Sequence, residues 1–213
     1  MRTAVLIASI MLFVSCQSAP SSMDKAEQAG GNRVAVPIMI LPFSSENEPK
    51  GIIPIGETTR HPNDMYGHVG LDFQFDYQPP LVAVADGIVV DIISYGEGHS
   101  GTGGVFDVAI GFEGFMAIYS GLAAVSDEIS IDGKVIKGQI IGYPYPVGPP
   151  ENGWHMTHWE FGEYQGGRTF TRLCPVPYFT VQEQDRLKSI WQIAYYDEKD
   201  KFPDLCNGIW RNY

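Results

Sequence analysis

Short apolar segments, separated by glycine, proline and aspartate, follow one another between residues 34 and 161. Segments of this length that are rich in β-branched and aromatic residues are typical of β-strands. The dipeptide Asp86-Gly87 is a hairpin-turn signal between two of them, and residues 134–142 predict a strand, a turn and a second strand. The other predicted strands are residues 34–41, 81–85, 88–93, 105–110, 115–119 and 156–161.

A helical pattern occurs near the C-terminal end of the chain. Thr180 is followed three residues later by Glu183, which is the signature of a capping box. Apolar residues then recur at helical spacing. They are Leu187, Ile190, Trp191 and Ala194. The whole pattern predicts a mostly β fold, a small antiparallel sheet or barrel-like sandwich with one C-terminal helix.

The first residues predict a targeting signal. After Met1 and Arg2, residues 4–14 are almost entirely apolar. This run is shorter than the roughly 20 residues of a spanning helix and suits the apolar region of a secretory signal. Its end, residues 12–16 (LFVSC), resembles the lipobox of bacterial lipoproteins, which implies a signal peptide over 1–16 and a lipidated Cys16. Residues 17–32 are small and polar, and predict a flexible linker.

Charge limits the classes of partner. The chain of 213 residues has 14 Lys and Arg against 25 Asp and Glu, a formal net charge of −11. An acidic chain with no basic cluster is a poor nucleic-acid binder, and it does not dock on membranes by charge. We therefore expect no nucleic-acid partner, and contact with a membrane only through the lipid anchor.

Two cysteines remain after Cys16. Cys174 and Cys206 form an even pair in a chain that the signal sends to an oxidising compartment. A bridge between them would close a loop of about 32 residues and stabilise the fold by roughly 3–4 kcal/mol. The alternative is a pair of free, buried thiols.

Metal-ligand chemistry is concentrated in three residues. His68 and Asp72 are four residues apart, and on a strand they share one face with Gly70, which leaves room for an ion. His158 lies far along the chain on a second predicted strand. His, Asp and His with an open fourth position form a ligand set for catalytic zinc. Taken alone, the His68–Asp72 spacing is far more typical of a surface hydrogen bond than of a metal site.

A series of motifs between residues 52 and 178 favours the zinc site over the surface hydrogen bond. In order and spacing they resemble the lysostaphin/LytM-type zinc endopeptidases of bacterial cell walls. The motifs are residues 56–62 (GETTRHP), 68–72 (HVGLD), 80–90 (PLVAVADGIVV), 119–122 (YSGL), 136–142 (IKGQIIG), 157–161 (THWEF) and 174–178 (CPVPY). The resemblance implies a peptidase-like domain over 33–180, a zinc ion in a groove and hydrolysis of peptidoglycan peptides. Residues 181–213 would be a helical extension.

The resemblance also implies roles for individual residues. His68, Asp72 and His158 would be the zinc ligands. Glu160, two residues after His158 on the same face, would accept a hydrogen bond at the metal centre. The alternative for Glu160 is a solvated carboxylate.

The sequence departs from the family at two acid–base positions. Family members carry a histidine where this chain has Met156, and another where it has Gly121. Neither a thioether nor a hydrogen atom transfers protons. His155 is the candidate substitute, although on a regular strand it faces away from His158 unless a β-bulge turns it back. His61 and His99 are more typical of a wall residue and a solvated loop residue.

Three functions follow as hypotheses. The first is a zinc endopeptidase, lipid-anchored at the cell envelope on the outer membrane or the periplasmic face of a diderm bacterium. The second is a weak or inactive module that binds peptidoglycan peptides or regulates a wall hydrolase, which Met156 and Gly121 favour. The third is a structural lipoprotein without metal.

Overall fold

The computed structural model describes residues 38–59, 67–96, 105–147, 153–164 and 170–207. The signal peptide and linker predicted over 1–32, together with His61 and His99, lie outside the described residues. The strands are Gly51–Ile53 (β1), Leu71–Phe75 (β2), Leu81–Val82 (β3), Gly87–Ser94 (β4), Phe106–Phe112 (β5), Phe115–Val125 (β6), Lys134–Val135 (β7), Ile140–Pro146 (β8), His155–Tyr164 (β9) and Phe170–Arg172 (β10). A short 3₁₀ helix, Val176–Tyr178, precedes the α-helix Val181–Ile193 (α1).

The ten strands pair antiparallel in one sheet, whose main path runs β1-β2-β9-β8-β6-β5-β4-β7. Strand β9 pairs with four of the other described strands. It pairs with β2 and β10, and also with β6 and β8. The predicted fold class, mostly antiparallel β with one C-terminal helix, is confirmed for the described residues.

The hydrophobic core lies on one face of β9. Thr157, Trp159 and Phe161 alternate along the strand and are buried there. Helix α1 contributes a buried stripe to the same core, as predicted. The residues of this stripe are Leu187, Ile190 and Trp191.

The predicted helix start at Thr180 is also confirmed. The Thr180 side chain accepts a hydrogen bond from the Glu183 backbone N–H at 3.4 Å, which satisfies one of the free donors of the first turn. The second half of the capping box is replaced, because the Thr180 N–H donates to the Met39 carbonyl at 2.9 Å. The helix is thereby tied to the segment that precedes β1.

The hairpin predicted at Asp86-Gly87 is wrong. Strand β3 pairs with β8, whereas β4 pairs with β5 and β7, so the two strands beside this dipeptide are not partners. The Asp86 carboxylate instead accepts a hydrogen bond from the Lys137 N–H at 2.7 Å. A Cβ on Gly87 would lie 2.7 Å from the Gly111 carbonyl oxygen, so glycine is required by close packing of β4 on β5.

Several predicted boundaries also change. Residues 38–41, the described part of the predicted strand 34–41, contain only the isolated bridge of Met39 with Phe179. Strand β8 continues through Tyr143–Pro146, beyond the predicted end of that element at residue 142, and β1 and β10 had not been predicted. These short strands carry weak local signals, and neighbouring strands stabilise them.

The predicted Cys174–Cys206 disulfide is present, with the two Cα atoms 6.0 Å apart. It joins the segment after β10 to the C-terminal segment, where the Cys206 backbone forms an isolated β-bridge with Ile55. The alternative of two free thiols is therefore wrong. Within the described part of the chain, no helix has both the length and the apolar character of a membrane span.

Candidate metal centre

Three side chains from two paired strands converge at one point. Asp72 on β2 lies directly opposite His158 on β9, and His68 precedes β2. His68 Nε2 is 3.0 Å from Asp72 Oδ1 and 3.0 Å from His158 Nδ1, and His158 Nδ1 is 2.7 Å from Asp72 Oδ1. These three atoms form a nearly equilateral triangle of potential metal ligands.

Gly70 makes this convergence possible. A Cβ at position 70 would lie 2.7 Å from Cε1 and 2.8 Å from Nε2 of His158. The space that the missing side chain leaves is therefore filled by the His158 ring, and not by an ion as the sequence suggested. Any larger residue would push His158 away from the other two ligands.

In each histidine, the ring nitrogen that faces away from the ligand group lies near an oxygen acceptor. His68 Nδ1 lies 3.1 Å from the Pro54 carbonyl, and His158 Nε2 lies 3.3 Å from Glu160 Oε1. A ring that donates its outer N–H to such an acceptor presents its other nitrogen as a ligand, and this is the usual arrangement at protein metal sites. The outer partners thus assign His68 Nε2 and His158 Nδ1 as the ligand atoms.

Charge is balanced within the group. Burial alone would raise the pKa of Asp72, but its contacts with His158 and His68 outweigh burial and hold that pKa well below its ordinary value. Burial likewise lowers the pKa of His158, yet hydrogen bonds to Asp72 and Glu160 reverse this and raise it to about 10. Without metal, the raised pKa favours the protonated His158 ring, whose two nitrogens face the Asp72 and Glu160 carboxylates. A metal would take the place of the Nδ1 proton.

The donor set fits zinc. Two imidazole nitrogens and one carboxylate oxygen are ordinary zinc ligands, and three protein ligands leave one position open. In a tetrahedral site with bonds of about 2.0–2.1 Å, ligand atoms are about 3.3 Å apart. The observed separations of 2.7–3.0 Å require only a small outward shift of the side chains.

Glu160 lies beside the ligand group. Its side chain is mostly buried, so the alternative of a solvated carboxylate is wrong. One oxygen faces His158 and the other accepts a hydrogen bond from Arg172 Nε. Burial raises the pKa of Glu160, but His158 and Arg172 together lower it, so the group is a carboxylate. The sequence contained no signal for Arg172.

His155 is not brought to the ligand group. The pairing of β2 with β9 runs from Leu71–Trp159 to Phe75–His155 without a register shift, so the β-bulge that would turn His155 is absent from this ladder. His155 therefore has the orientation of Thr157 and Trp159, and its Nδ1 lies 3.0 Å from the Gly153 carbonyl. The catalytic role that we expected for His155 stays a prediction without geometric support.

The two departures from the family pattern lie next to the ligands. Met156 has the same orientation as His158, and its sulfur is 3.9 Å from Gln74 Nε2. Gly121 has a φ of +73°, at the point where β6 leaves β9 and continues along β8. A histidine at position 121 would be strained by this backbone conformation. The Gly121 N–H donates to Asp107 Oδ1 at 3.2 Å.

A groove of about 260 Å³ extends along this face of the sheet from Glu160. Ser120, which pairs with His158, connects the groove to the ligand group. Apolar side chains and three acids line it; the described lining residues are Val90, Asp91, Ile93, Asp107, Ala109, Met116, Ile118, Ser120, Glu160, Tyr164 and Phe170. The resemblance implied a groove, but the sequence did not identify its walls, because they come from strands whose neighbours were not known.

Comparison with known proteins gives distant matches. No protein-family model and no curated protein matches the chain. Among solved structures, Csd3 of Helicobacter pylori is 18% identical over 74% of this chain and 39% of its own, with a TM-score of 0.47. The catalytic domain of the prophage-encoded M23 protein EnpA from Enterococcus faecalis is 22% identical over 66% of this chain and 95% of its own, with a TM-score of 0.45.

The antimicrobial peptidase lysostaphin from Staphylococcus simulans is also similar. It is 18% identical over 69% of this chain and 55% of its own, with a TM-score of 0.42. This chain thus spans well under half of the Csd3 chain and about half of lysostaphin. Likenesses this distant carry no argument about function.

Proposed function

We propose that this chain is a zinc-binding module of the lysostaphin/LytM type that hydrolyses peptide bonds of peptidoglycan. The observation that carries the proposal is the convergence of His68 Nε2, Asp72 Oδ1 and His158 Nδ1, each with an outer partner or charge balance suited to a metal. The motifs between residues 52 and 178 support the choice of family and substrate.

The residues around the metal centre would have different roles in binding and hydrolysis. Zinc bound here would polarise a peptide carbonyl and acidify a water molecule in its open position. His68, Asp72 and His158 would hold the ion, and Glu160 would orient the His158 ring. The groove beside Glu160 would hold the peptide chain along the sheet, with Met116 and Ile118 contributing apolar contacts.

A second function is favoured by Met156 and Gly121. These residues occupy the places of the family's acid–base histidines, and His155 faces the other side of β9. A positioned acid–base group contributes about 10²–10⁴-fold in rate, so a chain without one would hydrolyse slowly. The alternative is therefore a module that binds peptidoglycan peptides, or regulates a wall hydrolase, with little hydrolysis of its own.

We further propose that the protein is lipid-anchored at the cell envelope, as the lipobox-like residues 12–16 indicate. The Cys174–Cys206 disulfide supports this proposal, because disulfides persist mainly in oxidising, extracytoplasmic compartments. Labelling of Cys16 with a radioactive fatty acid in cells would test it. Unlabelled protein would contradict the anchor.

The experiment for the metal centre is a zinc titration of the full chain purified in detergent. We expect one zinc per chain, lost in His68→Ala and retained in His155→Ala, the matched histidine on the opposite face. No zinc in the parent would contradict the proposal. Zinc in all three proteins would show that the metal is bound elsewhere.

Peptidoglycan digestion then separates the two functions. Release of peptides by the parent, and none by His68→Ala, supports the endopeptidase. Zinc binding and peptidoglycan pull-down without any released peptide supports the binding module. Loss of digestion in His155→Ala with zinc retained would restore the catalytic role predicted for His155.

A further inference from the structure

Arg172 reaches the metal centre from outside the ligand group. It is the last residue of β10 and pairs with Gly162 of β9. The two strands are very close there, since a Cβ on Gly162 would lie 2.2 Å from the Thr171 carbonyl oxygen. Arg172 is thereby held opposite Gly162, on the same face of the sheet as Glu160 and His158.

Glu160 connects Arg172 to the ligand. Arg172 Nε donates to Glu160 Oε2, while Glu160 Oε1 faces His158 Nε2 at 3.3 Å. The guanidinium is partly buried, and its Cζ is 5.6 Å from the centre of the Phe170 ring. The three side chains therefore form one continuous chain, in which each contact fixes the orientation of the next.

The Glu160 side chain also borders open space. Its side chain also lines the groove, so a carboxylate released from Arg172 could turn into open space and leave the His158 ring unsupported. A carboxylate held by a guanidinium loses much of this freedom, because the planar donor group accepts few geometries. In that second position Glu160 would no longer face His158 Nε2, and the ring would lose its outer acceptor.

We propose that Arg172 is a positioning residue of the metal centre, which acts through Glu160 to hold the His158 ring with Nδ1 toward His68 and Asp72. The inference rests on the proposed metal centre and assigns it a residue on a third strand. The disulfide supports the arrangement, because Cys174 anchors the chain two residues after Arg172.

The test is zinc affinity of the full chain in detergent, measured by competition with a chelating dye. We expect Arg172→Gln to bind zinc about tenfold more weakly, the lower end of the effect of removing an outer partner. Arg172→Lys should recover part of that loss. Arg186→Gln is the matched control, because Arg186 pairs with Glu48 and Glu183, which are not part of the ligand group. Thermal melting must show that each variant is folded.

A double-mutant cycle shows whether Arg172 acts through Glu160. If it does, adding Arg172→Gln to Glu160→Gln causes no further loss of affinity. Additive losses would overturn the proposal, as would a zinc affinity of Arg172→Gln within about twofold of the parent. Equal losses in Arg172→Gln and Arg186→Gln would overturn it too, since both would then reflect general stability.

A second readout does not need zinc. In the metal-free protein we expect Arg172→Gln to shift the imidazole nitrogen resonances of His158 and to leave those of His155 in place. Unchanged His158 resonances would overturn the proposal. A parent that binds no zinc but shows this shift would contradict the proposed function and leave the positioning role of Arg172 supported.

Discussion

Strand β9 has two faces that are stabilised in different ways. On one face, Thr157, Trp159 and Phe161 are 0%, 1% and 2% exposed and pack into the core. On the other face, Met156, His158 and Glu160 border the metal centre and the groove. Because side chains alternate along a strand, one stretch of sequence builds both faces.

The two faces differ in what holds their side chains, and this difference allows charged groups to lie close to the core. Trp159 is held by packing, with Phe161 stacked 6.3 Å away and Phe179 5.9 Å away. His158 is held by partners, since an ionised group that is mostly removed from water must be paired to be tolerated. We therefore expect core-face changes to alter stability and groove-face changes to alter metal binding or hydrolysis.

The largest effect should come from Trp159→Ala on the core face. Removal of a buried aromatic side chain costs about 3–5 kcal/mol of unfolding free energy. Urea denaturation followed by circular dichroism measures it. Met156→Ala, on the other face of the same strand, is the control and should cost about 1 kcal/mol. Equal losses would break the comparison between the two faces.

The disulfide should contribute nearly as much. It joins the segment after β10 to Cys206, whose backbone forms a β-bridge with the buried Ile55. We expect Cys174→Ala with Cys206→Ala to lower the unfolding free energy by about 3 kcal/mol, because the unfolded chain gains freedom. Denaturation of the parent with and without a reductant is the control. A reductant effect on the double variant would contradict this explanation.

Met156→His should change chemistry more than stability. It places an imidazole on the face of His158, where the family has an acid–base histidine, and we expect peptidoglycan hydrolysis to rise about 100-fold at constant zinc content. Release of peptides from purified peptidoglycan measures it. Gly121→His is the contrasting variant, because its φ of +73° strains any histidine and should prevent a gain. A gain in Gly121→His alone would reverse this assignment.

The smallest effect is expected at the helix cap, remote from both faces of β9. Thr180→Ala removes the acceptor for the Glu183 N–H and should cost about 1 kcal/mol, without loss of zinc. Thermal melting compares it with Ser189→Ala, an exposed hydroxyl within the same helix. A loss in Ser189→Ala as large as that in Thr180→Ala would argue against a cap effect.

The candidate ligands could be predicted from sequence because each lies in a short local motif and the series of motifs resembles one family. His68 and Asp72 are four residues apart, and His158 lies within a strand whose alternation is visible in the apolar pattern. Arg172 could not be predicted, since the pairing of β10 with β9 is non-local and β10 has only three residues. The same reason explains the error at Asp86-Gly87, where a local turn signal says nothing about which strands pair.

The sequence by itself determined the alternation of β9, the start of α1 at Thr180, the two cysteines that bridge and the residue types of the metal centre. These depend on side-chain chemistry and on periods of a few residues. Only the tertiary structure decided that the His158 ring fills the space above Gly70, that Gly121 turns β6 from β9 to β8, and that Arg172 holds Glu160. Each of these depends on contact between segments far apart in the chain, which local patterns do not encode.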